Sequence, residues 1–512
     1  MNDAAVAPSR DWRRFALYLL LGFSAGLPFY MFSTVLSARL AEHEVDIVLI
    51  GFFGWVSLLP TFKFLWAPLL DRFAVPGFGR FFGKRLGWII LAQIGIFLSM
   101  VAMAFTSADT NLAMVALFAV LLSFWTTTLE VSADGWRIEL APTAEKQGPL
   151  TAANLWGYRT AMAFSSFAAL TVADFVDWTS GYLAVAFFAF LPLPILASMR
   201  PQQTPQERRA ALADTFGDAT DTRPRAGRLA ALTTGLLASV VILAGSLLVT
   251  GAIGWLVLRA AAQLGISEKT DVKTGVLVLC LVPFVIMGAA LPWIVQMKPT
   301  HWARQSTWLG PYTDIFWRFG YRVLPLLGFV TFYRMGDVLT LWGVKPLEIA
   351  AHYDKTTMGL ADGLITTPSS MLGVALGAIM AVRLRMGWAL ALGAIGSALG
   401  NWIFVWLWYV PPNTVAIYTA TALDQFAHGL EGAVFVVYLS LLVNPKYPAA
   451  QYAFLSGFAF LLPRLLQGAG GDIVKHIGFD GFFWLSGTLS LAAVVFLPFI
   501  MGARPRPDDS PA

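Results

Sequence analysis

The chain has 512 residues, of which 57% are apolar and 13% charged, and a formal net charge of +5. The charged share is about half the roughly 25% usual in soluble domains. A soluble fold, a disordered chain, a collagen and a disulfide scaffold are thereby excluded, leaving an all-α polytopic membrane protein. One cysteine, Cys280, cannot make an internal disulfide or a Cys-based metal site, and the five histidines show no HxxxH or HxxH spacing. No metal and no cofactor are expected. The basic residues sit in loops between apolar runs, which reads as membrane topology rather than nucleic-acid binding.

At the N-terminus, Arg10, Arg13 and Arg14 precede an apolar stretch from about Phe15 to Ser37. It is long enough to span and no clear A-x-A site follows, so it reads as an uncleaved first helix. About fourteen transmembrane helices are expected. Six lie at about 15–37, 47–70, 87–106, 111–138, 149–173 and 180–199. Two follow at about 229–260 and 273–296, and six more at about 322–344, 356–380, 387–410, 413–443, 449–473 and 481–502. With the N-terminus in the cytoplasm, 24 of the 35 Lys and Arg fall in inside loops, six outside and five within spans. That bias predicts both termini in the cytoplasm.

The expected organisation is an N-terminal six-helix bundle at 1–199, a polar cytoplasmic linker at 200–228, two inserted transmembrane helices at 229–296, a cytoplasmic loop at 297–321 and a C-terminal six-helix bundle at 322–512. Two six-helix bundles with a cytoplasmic connection are the plan of the major facilitator fold, whose halves are parallel repeats. The loop after the second span carries Asp71, Arg72, Lys84 and Arg85, and the matching loop of the second half carries Arg383 and Arg385. These fit the superfamily's cytoplasmic loop motif and, equally, ordinary positive-inside charge. The inserted pair has few ionisable groups and is assigned no transport chemistry.

A charge at the bilayer centre costs at least roughly 2.5–3.5 kcal/mol, so ionisable residues within spans need partners or a wet cavity. In the fourth span Glu130 and Asp134 are four apart and share one helix face. Two nearby carboxylates resist ionising together, a physical basis for proton coupling. The competing reading is a helix-end ion pair of Asp134 with Arg137. In the fifth span, Arg159 is placed to meet these acids or a substrate carboxylate, beside Tyr158. Lys63 falls in the inner half of its span, where it lines a site or snorkels.

The second half has its own set. Tyr333 precedes Arg334 and Asp337, which stand one helical turn apart, as a self-neutralising pair or a binding element. Asp424, Gln425, His428 and Glu431 form the densest polar stripe within a span, and Arg464 in the thirteenth span is placed to neutralise one of these acids. A purely structural network is the alternative for the stripe. Each half thus offers cations and anions toward a shared cavity, which suits a zwitterionic or anionic polar solute.

Several segments carry a resemblance: LGFSAGLPFYMFSTVLSARL at 21–40, LLPTFKFLWAPLLDRF at 58–73, LEVSADGWRIELAP at 129–142, NLWGYRTAMA at 154–163, FYRMGDVL at 332–339, DQFAHGLEGAVFVVYLSLLV at 424–443 and YPAAQYAFLS at 447–456. Over nearly its whole length the chain resembles the AmpG-type muropeptide permease family of the major facilitator superfamily, including its fourteen-helix plan. The resemblance implies a monomeric, multi-pass importer of the bacterial cytoplasmic (inner) membrane. It would be driven by protons and take GlcNAc-1,6-anhydro-MurNAc with or without its stem peptide for peptidoglycan recycling. Through muropeptides it would bear on β-lactamase induction and antibiotic resistance. The family's fourth-span pattern Q-D-I-x-x-D-A appears here with Leu129, Glu130, Asp134 and Gly135, so the acids persist and the Gln is lost. Glu431 and Pro463 depart from the pattern too. A relative carrying a siderophore or a coenzyme A ester is the alternative. A membrane-embedded transferase is weaker, since no P-loop or obvious D-x-D is present. A scaffold or receptor on a transporter fold is opposed by the retained buried charges.

Overall fold

The computed structural model describes residues 11–43, 45, 54–108, 111–198, 233–234, 236–248, 251–252, 285, 288–298, 300–467 and 470–501. The linker expected at 200–228 and most of the inserted pair at 229–296 lie outside the described residues. Among the described residues there is no strand, and nine helices are long and apolar enough to cross a membrane. Ala144–Phe175 and Thr366–Arg383 have the length but are less apolar. An α-helix satisfies its backbone groups internally, which the hydrocarbon core requires.

The chain divides into two compact units. One comprises Met1–Pro60, Leu70–Leu140 and Pro149–Trp255, the other Thr61–Leu69, Ala141–Gly148 and Leu256–Ala512. In the first unit the long helices are α1 (Asp11–Met31), α2 (Lys84–Phe105), α3 (Leu112–Leu140), α4 (Ala144–Phe175, from Pro149 on) and α5 (Trp178–Phe190). Gly22 and Gly26 of α1 face backbone carbonyls of Asn154 and Tyr158 in α4, and Gly157 faces Leu19 in return. Small residues spaced by four let two backbones approach this closely, as in small-xxx-small crossings. Arg39 closes the end of α2 by donating to the carbonyls of Met103 at 2.8 Å and Thr106 at 2.6 Å. Asp177 starts α5 by accepting from the Ser180 N–H at 2.7 Å.

In the second unit the elements are α6 (Gly310–Phe319), α7 (Val323–Ala350), α8 (Thr366–Arg383), α9 (Met386–Tyr409), α10 (Thr414–Leu442), α11 (Pro448–Gln467) and α12 (Gly470–Ala492). Gly373 and Gly377 of α8 lie against the carbonyls of Phe426 and Leu430 in α10, and Gly429 faces Ser370 in α8.

Three segments depart from the apolar pattern. The span expected at 47–70 contains a tight 3-10 helix, Gly54–Leu65, followed by Ala67–Arg72. Pro60 lies within the 3-10 stretch and Pro68 in the first turn of the helix that follows, where a missing N–H costs nothing. The chain breaks inside α12 at Gly478, whose φ of 74° is left-handed. A side chain there would also meet Asp480 Oδ1 at 2.7 Å. The segment expected as a loop at 297–321 contains α6, which is buried with its ion pair. Arg318 donates to Asp314 at 2.9 Å, Gln451 donates to Asp314 at 2.7 Å, and Gln451 accepts from the Asn444 N–H at 2.7 Å. Asp314, Arg318, Gln451 and Asn444 are all buried, so the polar letters of this segment face inward.

Candidate functional site

The densest ionic constellation lies in the second unit, between α7 and α10. Asp337 is its hub. Its Oδ2 stands 2.6 Å from Arg334 Nη1, one turn back on α7, and its Oδ1 stands 2.7 Å from His428 Nε2 on α10. The Ser397 hydroxyl of α9 donates to the same Oδ1 at 3.3 Å. Arg334 Nη1 also faces Glu431 Oε2 at 3.4 Å, and His428 Nε2 faces Asp424 Oδ1 at 3.2 Å. The Gln425 amide donates to Asp424 Oδ2 at 3.0 Å. The stripe Asp424, His428, Glu431 therefore does face one way, as its helical spacing predicts.

Local sequence explains why the hub sits there. Gly336 lets α7 approach its neighbours: a Cβ at that position would lie 2.6 Å from Asn401 Nδ2. Ser397, Asn401 and Ser490 then form a small hydroxyl–amide group beside Asp337, with Ser397 and Ser490 3.2 Å apart and Asn401 donating to Ser490 at 3.3 Å. Gly393 makes room for the Tyr333 hydroxyl, and Tyr333 stacks on Phe435 with ring centroids 5.2 Å apart. Asp337 and Glu431 are buried, and Glu431 is 0% exposed. Charges taken out of water at this depth are tolerated only when paired, so the geometry is a requirement of insertion as well as of chemistry.

The cluster extends along aromatic faces. Arg334 lies 5.2 Å from the Phe460 ring and Arg464 lies 5.3 Å from the same ring. Arg464 also donates to the Thr61 hydroxyl at 2.9 Å. Lys63, buried, lies 5.9 Å from the Tyr452 ring. These contacts are all within the second unit, which includes Thr61–Leu69. Of the residues the sequence singled out, Tyr333, Arg334, Asp337, Asp424, Gln425, His428 and Glu431 come together in one patch. Arg464 joins it through Phe460, and Lys63 belongs to the same unit beside Tyr452.

Glu130, Asp134, Tyr158 and Arg159 belong to the first unit. Glu130 and Asp134 are half-buried on α3. Asp134 is held by Arg137 at 2.9 Å, and Arg137, fully buried, donates to Thr151 at 2.7 Å. Tyr158 packs on Phe29 with centroids 6.2 Å apart, and Arg159 is half-buried on α4. Close to one end of α2, Arg85 binds Asp71 and Glu139, each at 2.6 Å.

Sequence reading passed over Ser397, Asn401, Ser490, Thr61 and Phe460. For Ser397 and Asn401 a signal existed: two polar residues four apart in an otherwise apolar helix. Thr61 and Phe460 carried none, because their roles arise from contacts distant in sequence. Among the described residues no group of three His, Cys, Asp or Glu is arranged to hold a metal ion.

Comparison with solved structures decides the fold. The chain matches the major facilitator superfamily proton:xylose symporter XylE bound to 6-bromo-6-deoxy-D-glucose with a TM-score of 0.59, at 13% identity, covering 97% of this chain and 96% of that one. The fold is that of the major facilitator superfamily. A second major facilitator structure, the human organic anion transporter MFSD10, matches with a TM-score of 0.58 at 12% identity, covering 96% of this chain and 100% of that one. In sequence, a Rickettsia conorii protein bearing the name AmpG 4 is 24% identical over 493 residues, 96% of this chain and 97% of that protein. The anhydromuropeptide permease of Escherichia coli (strain K12) is 23% identical over 486 residues, 94% of this chain and 79% of that protein. No family model matches the chain. The chain thus resembles AmpG-type permeases over nearly its whole length. Its relatives are named as transporters and permeases, not as enzymes.

Proposed function

We propose that the chain is a proton-coupled importer of anhydro-muropeptides, working by alternating access in the bacterial inner membrane. It would have about fourteen spans, both termini in the cytoplasm, and act as a monomer. The observation that carries this reading is the buried cluster of Arg334, Asp337, His428 and Glu431 within two apolar helices. Such charges are costly at membrane depth and mark substrate or ion pathways. The substrate class comes from the name of the Escherichia coli relative.

An anhydro-muropeptide carries hydroxyls, amides and, with a stem peptide, carboxylates. Arg159, Arg334, Arg464 and Lys63 would hold carboxylates, with Arg offering a planar fork that matches them. Tyr158 and Tyr333 would stack on sugar rings, and Asp337, Asp424, Gln425 and His428 would receive hydroxyls and amides. Glu130 and Asp134 would carry protons, their charge state biasing the balance between outward and inward states. A related importer of a siderophore or a coenzyme A ester is the second reading, favoured by Leu129 and Gly135 where the family pattern has Gln and Ala.

The test is uptake into proteoliposomes, with and without an inward proton gradient, over a panel of labelled anhydro-muropeptides, free sugars, siderophores and coenzyme A esters. Gradient-dependent uptake of the anhydro-muropeptide alone is expected. Uptake of another class in its place replaces the substrate, and uptake indifferent to the gradient removes the coupling.

A further inference from the structure

Resting on the proton-coupled reading, we propose that Glu431, acting with His428 and Asp337, is a proton-binding site of this transporter in its own right, separate from Glu130 and Asp134. The argument is charge balance in a buried place. Asp337 and Glu431 both face one guanidinium, that of Arg334, at 2.6 Å and 3.4 Å. The nearer acid takes the ion pair. Glu431 is fully buried, and neither of its oxygens has a well-formed hydrogen bond from a described residue. One cation cannot neutralise two carboxylates, and an uncompensated buried charge is strongly destabilising. With Asp424, which His428 also faces, the cluster holds three carboxylates and one guanidinium, so a proton on the Glu431 carboxyl, or on the His428 imidazole as a second cation beside Asp337, reduces the excess negative charge.

The surroundings leave few other sources of charge. From α7 the groups facing Glu431 are Tyr333, Arg334 and Asp337. Asp424 and His428 lie on its own helix, and His428 bridges Asp424 and Asp337. From α9 come the uncharged Ser397 and Asn401. From α11 come Tyr452, near Arg334, and Arg464, which lies 5.3 Å from the Phe460 ring that Arg334 also faces. The ionisable residue of α8 is Arg383, at its last position. A proton arriving from the acidic side forms one O–H or N–H bond within the cluster. When that bond breaks toward the other side, the extra negative charge returns and Arg334 is drawn between Asp337 and Glu431. The element whose packing changes with the proton is therefore the contact of α7 with α10.

The experiment compares accumulation with exchange in proteoliposomes, using radiolabelled anhydro-muropeptide. For one coupled proton, each pH unit of gradient drives about tenfold accumulation, since one tenfold step is about 1.4 kcal/mol. In Glu431→Gln the accumulation ratio is expected to fall toward one while counterflow at equal pH continues, at a reduced rate. If accumulation and counterflow fall in step, Glu431 merely binds substrate and the proposal is overturned. Accumulation at the wild-type ratio overturns it too. If Glu431→Gln does not fold, Glu431→Asp decides: it keeps an ionisable group and is expected to accumulate with a displaced pH profile, and an unchanged profile overturns the proposal. Should the wild type itself ignore the gradient, the proton-coupled reading fails, whatever Glu431 does.

Discussion

His428 Nε2 stands 2.7 Å from Asp337 Oδ1, tying α10 to α7 at a point where both side chains are buried. Asp337 is engaged on both oxygens, since Arg334 holds the other at 2.6 Å. Arg334→Met leaves Asp337 and Glu431 buried with no guanidinium and is expected to destabilise by roughly 3–5 kcal/mol. Asp337→Ala leaves Arg334 still facing Glu431 and should cost less. Thermal unfolding in detergent micelles compares the two variants. An Arg334→Met that melts above Asp337→Ala would show that the guanidinium is not what holds the two acids.

The crossing of α8 and α10 makes a second, steric prediction. Gly373 and Gly377 lie against backbone carbonyls, which cannot move aside as a side chain can. Gly373→Val should therefore separate the helices and abolish stable expression. Gly396, on α9, has nothing within 4 Å of where a Cβ would stand. Gly396→Ala should express and melt as the wild type does, or slightly higher because alanine favours the helix by about 1 kcal/mol over glycine. Fluorescence size-exclusion profiles of the two variants compare them directly. A monodisperse Gly373→Val would contradict the close packing.

Much of this was legible in the sequence because hydrophobic length and helical spacing are local properties. The stripe Asp424, His428, Glu431 follows from i, i+4 and i+7 alone, and the Arg334–Asp337 pair from i, i+3. What spacing cannot encode is which helix lies opposite. Asp314 and Arg318 read as polar letters of a loop, whereas their burial depends on Gln451 and Asn444, more than a hundred residues away. The same holds for Ser397, whose value lies in reaching Asp337 from a third helix. The second span shows the limit of composition: its letters are apolar enough to span, yet the backbone there is a 3-10 stretch followed by a short α-helix. The contact of Asp134 with Arg137 is the helix-end ion pair that i, i+3 spacing predicts.

Arg85 offers a test of geometry rather than charge. It donates to Asp71 and Glu139 together and to the Leu70 carbonyl at 3.1 Å, from a buried position. Lysine carries the same charge but a single ammonium, without the planar fork. Arg85→Lys is expected to keep the fold while loosening the grip on one of the two acids, lowering the melting point by the equivalent of about 1–2 kcal/mol. Arg85→Gln should lose about 3 kcal/mol or more, since Asp71 and Glu139 then lose the guanidinium they share. Equal melting points for the two variants would mean that charge at this position is unimportant.

Two guanidinium groups lie against Phe460, Arg334 at 5.2 Å and Arg464 at 5.3 Å from its ring centroid. Like charges brought this close repel, and the electron-rich ring face lowers that cost for both. A cation–π contact is worth roughly 0.5–2 kcal/mol, more when desolvated. Phe460→Leu keeps most of the apolar volume and removes the ring. If the two cations hold the substrate's carboxylate, the variant should raise the half-saturating concentration for a peptide-bearing anhydro-muropeptide by about fivefold, equivalent to about 1 kcal/mol. The peptide-free disaccharide, which has fewer carboxylates, should be affected less. Initial uptake rates over a concentration series of both substrates measure the difference. An equal rise for the two would assign Phe460 to packing, because a lost ring contact that ignores the substrate's charge cannot be acting through Arg334 and Arg464.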